Sequence, residues 1–70
     1  MWKTDNLGVA KMVAWAWANY PAGPLNGQKP HSVVRNGSGY EVVVGEKDDA
    51  VYVVRPGDAV PVREPAAVSA

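Results

Sequence analysis

Apolar residues recur every three or four positions from Leu7 to Tyr20 and at alternating positions from His31 to Val62. The first spacing is that of a helix with one apolar stripe, the second that of strands. Thr4, Asp5 and Asn6 are all good N-cap residues ahead of the first run, and Pro21 disfavours helical geometry at Tyr20. The pattern predicts a helix over 5–20. Val9, Met12, Val13, Ala16 and Tyr20 form the stripe expected to meet the core, with Trp15 and Trp17 at its margins. Ala10, Ala14 and Ala18 form a second, small-residue face. That face would let another helix approach closely, for example one from a second copy of the chain, with the tryptophans framing the contact.

Residues 21–30, PAGPLNGQKP, are too rich in Pro and Gly for a regular element and read as a connector pinned by Leu25. Strands are expected at His31–Asn36, Tyr40–Gly45 and Ala50–Arg55, with a short edge strand at Ala59–Arg63 that contains Pro61. Asn36-Gly37-Ser38-Gly39, Glu46-Lys47-Asp48-Asp49 and Arg55-Pro56-Gly57-Asp58 read as the turns between them. The fold expected is α+β: one N-terminal helix packed on a three- to four-stranded antiparallel β-meander, as a single domain over 1–63 with a flexible tail at 64–70. Tyr40–Arg55, taken as a hairpin, is its centre.

Strand alternation then assigns two faces. If each turn joins antiparallel neighbours, His31, Val33, Arg35, Tyr40, Val42, Val44, Val51, Val53 and Arg55 share one face, which is richest in valine and is assigned to the helix. Val34, Val43, Tyr52 and Val54 fall on the other face with no cover from their own chain. Contiguous apolar patches on small domains mark interfaces, so these four, with Trp15 and Trp17 on the helix, are the candidate protein-binding residues.

Length sharpens that expectation. A chain of 70 residues buries only about 60% of its unfolded surface and commonly needs a staple. Cysteine is absent and His31 is the sole histidine, which removes disulfides and thiolate zinc sites. Self-association, most simply a homodimer, or a protein partner remains as the staple. Net charge is zero, which argues against nucleic acid and anionic lipid as partners. Charge is uneven along the chain: residues 1–35 carry a basic excess and residues 36–70 an acidic one. The poverty in Phe, Ile and Leu beside abundant Val and Ala points to a GC-rich bacterial or phage genome, hence a cytoplasmic protein of such a cell or its infected host. Ala16-Trp17-Ala18 resembles a leader cleavage site, but Asp5 and Lys11 interrupt the pattern such a segment requires. A fourteen-residue apolar helix spans about 21 Å, short of a roughly 30 Å hydrocarbon core.

Catalytic chemistry finds little to work with. His31 and Ser32 are adjacent on a strand and therefore point to opposite faces, and His31 is expected at a strand edge, partly exposed. Glu46, Asp48 and Asp49 do not match a calcium loop. No glycine pattern follows a strand and opens a helix, so a phosphate cradle has no support. Tyr40 and Tyr52 near Arg35, Arg55 and Lys29 could stack bases, against the neutral charge. The expectation is a non-enzymatic protein-binding module without cofactor or metal, acting as an inhibitor or accessory factor. A structural subunit of a larger assembly such as a virion, or a single-stranded nucleic-acid binder, are the alternatives.

Overall fold

The computed structural model describes residues 2–20 and 29–61. Most of the connector, the Leu25 contact expected there and the tail lie outside the described residues. One helix packs on a four-stranded antiparallel sheet. In chain order the elements are β1 (Trp2–Thr4), α1 (Leu7–Asn19), β2 (His31–Asn36), β3 (Gly39–Val44) and β4 (Tyr52–Val54).

The strand order is β1-β3-β2-β4, so the sheet is not a simple meander. β2 and β3 form the hairpin that the Asn-Gly turn predicts, with Val33 opposite Val42 and Asn36 opposite Gly39. The hairpin expected across Tyr40–Arg55 does not form. The outer edge of β3 is taken by β1, with Trp2 opposite Val42. The following chain pairs instead with the free edge of β2, with Val54 opposite His31 and Tyr52 opposite Val33. β3 and β4 therefore run parallel on either side of β2, joined by residues 45–51. Residues 59–61 form no strand, and the rest of the expected edge strand lies outside the described residues.

The crossover is anchored at its start, middle and end. Gly45 adopts φ 100, a left-handed conformation that favours glycine, as the chain turns out of β3. The Ser32 hydroxyl donates to the Gly45 carbonyl at 2.5 Å and accepts from the Lys47 amide at 3.0 Å. The Val51 amide then donates to the Val33 carbonyl at 2.8 Å and hands the chain to β4. Ser32 points away from the helix, so the crossover passes over the sheet's outer face and leaves that side chain fully buried.

The helix starts at the N-cap Asn6, whose side-chain oxygen accepts from the Val9 amide at 3.0 Å. It ends as the extended backbone of Tyr20 leads toward Pro21. Its inward face is Ala10, Ala14 and Ala18, all fully buried against Val33, Val42 and Val54. The stripe expected to meet the core is turned outward or sideways: Val9, Met12 and Tyr20 are exposed, and Val13 and Ala16 only partly covered. Alanine carries no bulk beyond Cβ, so the helix can settle close to a floor of valines. Larger residues then close the margins, with Leu7, Val13, Trp15, Trp17, Trp2, Tyr40 and Tyr52 packed around the small centre. Each aromatic offers on the order of 150–250 Å² to bury, which makes this arrangement competitive with burying the valine–methionine stripe.

Candidate protein-binding surface

Cross-strand partners share a face, so the register settles where each expected interface residue lies. Val34 and Val43 are on the outer face but half-buried, not uncovered. Tyr52 and Val54 are not. Opposite Val33 and His31, they lie on the helix-covered face, and Val54 is fully buried in the core. Val53, expected inward, takes the outer position opposite Ser32. The expectation failed because it carried facing through a hairpin turn, whereas a crossover sets facing independently of loop length. The four residues therefore form no single patch, and the crossover occupies the middle of the outer face above Ser32.

Tyr52 is half-buried with the Lys11 ammonium 5.5 Å from its ring centre. Burial, and then the Asp58 carboxylate, push its phenol above the usual value. Tyr40 carries the Arg35 guanidinium at 5.5 Å. Both rings lie on the side covered by the helix and are half-buried.

The two helix tryptophans play different parts. Trp17 turns inward between Trp2 and His31, edge-on to both, with centroid distances of 6.5 and 5.9 Å. Trp15 lies on the opposite margin. Its indole N–H donates to the Asp58 carbonyl at 2.7 Å, and its ring meets Tyr20 edge-on at 5.1 Å. Asn19 reinforces this junction, donating to the Trp15 carbonyl at 2.9 Å and accepting from the Gly57 amide at 2.6 Å. Gly57 has φ 94 behind Pro56, the conformation a type II turn requires at that position. Arg55 donates from Nε and Nη2 to the two Glu46 oxygens at 2.9 and 2.8 Å and closes the end of the crossover. The C-terminal half of the helix is thus fastened to the 55–58 turn, and Tyr20 is propped outward on Trp15.

His31 is fully buried, not the partly exposed edge residue expected. Its Nδ1 lies 3.0 Å from the Lys29 carbonyl, and its Nε2 has no hydrogen-bond partner among the described residues. Ser32 projects to the opposite face, as strand alternation requires. Among the described residues no three of His, Asp or Glu gather where they could hold a metal. No described helix is long and apolar enough to cross a membrane.

What stands out is the outward side of α1. Val9 and Met12 are 43% and 44% exposed on it, with Ala16 one turn beyond Met12 and Val13 on the flank, and Tyr20, the extended C-cap, is 53% exposed just past its end. Val60, also exposed, follows the turn tied to Trp15. A helix apolar on both sides has one side to spare once its own core is packed. Spacing identifies this stripe and points it at the core, but spacing alone does not say which of two apolar sides meets the sheet. No protein-family model, curated protein or solved structure matches this chain.

Proposed function

We propose that this protein is a non-enzymatic binding module, an inhibitor or accessory factor, that engages other protein through the outward stripe of α1. The observation that carries the reading is the exposure of Val9 and Met12, each more than two-fifths exposed on a helix whose opposite face is already buried, with the exposed C-cap Tyr20 at its end. Val9, Met12 and Ala16 stand at i, i+3 and i+7, three of the positions that enter an apolar groove in helix-in-groove recognition. Trp15 serves as a prop for Tyr20, and Trp17 belongs to the fold. Val34, Val43 and Val53 on the outer sheet face are the competing surface, interrupted by the crossover.

The test is differential. The protein is immobilised as wild type, Met12→Arg and Val43→Arg, and the partners retained from cells of its source are compared. Loss of a partner from Met12→Arg and its retention by Val43→Arg support the helix stripe. The reverse pattern moves the site to the sheet and refutes the reading.

A further inference from the structure

We propose that Asn36-Gly37 is a site of spontaneous deamidation, and that Glu41 is the positioning residue that sets its rate. The proposal is independent of the binding surface on α1.

The sequence sets asparagine before glycine, whose main-chain nitrogen has no side chain of its own to shield it. The fold then leaves the pair in the open. Asn36 is the last residue of β2, Gly37 and Ser38 make the turn, and all three are exposed. Gly37 has φ 66, and no neighbour stands within 4 Å of where its Cβ would be. In the reaction the Gly37 nitrogen gives its proton to water and attacks Asn36 Cγ. The Cγ–Nδ2 bond breaks, and that nitrogen takes up a proton and leaves as ammonia. Water opens the resulting cyclic imide at either carbonyl. One product is aspartate; the other is isoaspartate, whose main chain runs through Cβ and Cγ.

The hairpin holds the reacting atoms apart. Asn36 is in a strand, and its Nδ2 donates to Glu41 Oε1 at 2.9 Å. Glu41 pairs with Val34 and Asn36 with Gly39, so this bond joins neighbouring positions on the outer face. Attack requires the Asn36 amide to leave Glu41 and turn back toward Gly37. The bond is exposed, so it opens without unfolding of the domain.

Either product damages the sheet. Aspartate sets a second carboxylate where the amide met Glu41, and like charges at paired positions are destabilising. Isoaspartate adds a main-chain carbon to a turn whose far side is fixed. A Cβ at Gly39 would lie 2.8 Å from the Thr4 carbonyl oxygen, so β1 leaves that strand little room to shift. β1 and β4 both pair with this hairpin, so its register carries theirs. The reaction therefore limits the lifetime of the native sheet.

The test is peptide mapping. Folded protein is incubated in mildly alkaline buffer, which favours loss of the Gly37 proton, then digested with trypsin and followed by mass spectrometry. Cleavage after Arg35 separates Asn36 from the second Asn-Gly pair, Asn26-Gly27. The expected result is conversion at Asn36, with isoaspartate among the products. Glu41→Ala should convert several-fold faster. Glu41→Gln, which keeps an acceptor for the Asn36 amide, should convert near the wild-type rate. Circular dichroism confirms that each variant starts folded; should Glu41→Ala fail to fold, Glu41→Asp, which keeps the charge and shortens the reach, is read in the same way. Converted wild type, isolated by anion exchange, should have a lower urea midpoint than fresh protein. Conversion at Asn36 only after urea unfolds the chain overturns the site. Conversion of the shortened variant at or below the wild-type rate overturns the role of Glu41. An unchanged urea midpoint overturns the effect on the sheet.

Discussion

Ala14→Leu is the sharpest perturbation of the packing between helix and sheet. Ala14 is fully buried at the centre of the inward face, between Ala10 and Ala18 and above Val33, Val42 and Val54, which are also fully buried. Three added carbons have no space there, so the helix must lift or the valines must leave their rotamers. Overpacking of this kind destabilises by about 1–3 kcal/mol. A chain of this length has roughly 3.5–10 kcal/mol of total stability, so the loss is a large fraction. Each kcal/mol corresponds to about 4–8 °C in a domain of this size, giving a fall in Tm of roughly 4–24 °C. Thermal melting by circular dichroism measures it. Met12→Leu, on the outward side, is the control and should leave Tm nearly unchanged. A wild-type Tm for Ala14→Leu would refute the alanine-inward packing and return the valine–methionine stripe to the core.

The other predictions concern the connections. Ser32→Ala removes the hydroxyl that bonds both Gly45 and Lys47, and should destabilise by about 1–3 kcal/mol in urea denaturation with an unchanged m value. Gly57→Ala places a side chain at φ 94 and should lose about 1–2 kcal/mol by the same assay. Arg55→Ala breaks an ion pair whose side chains are 57% and 46% exposed and screened by solvent, so the urea midpoint should stay close to that of the wild type.

Much of the fold could be read from local chemistry. Capping residues before Leu7 and Pro21 after Tyr20 bracket the helix, and β2 has the expected bounds because His31 to Asn36 alternates up to an Asn-Gly turn. What local chemistry cannot carry is partner choice. Trp2–Thr4 is three residues long, too short for periodicity to reveal a strand, yet it occupies the edge of β3 that the third valine run was expected to fill. Once that edge is taken, Tyr52–Val54 can pair only across β2, and the facing of Tyr52, Val53 and Val54 inverts with it. The helix posed a different ambiguity. Both its alanine line and its valine–methionine line are apolar, and the choice turns on how closely the backbone can approach the sheet and which aromatics fill the margins. The burial of His31 is hidden from local chemistry for a related reason: it lies against Trp17, on the far side of a long stretch of chain, in the alanine-inward orientation of the helix.

The account stands on the orientation of α1, and cysteine labelling tests it most directly. Met12→Cys and Ala14→Cys each supply the only thiol in the chain, and a small thiol reagent is added to folded protein at low micromolar concentration. The predicted result is near-unhindered reaction at position 12 and strong protection at position 14, released by urea. Equal rates at the two positions, or protection at 12 with rapid reaction at 14, would contradict the packing and remove the ground for the proposed binding surface.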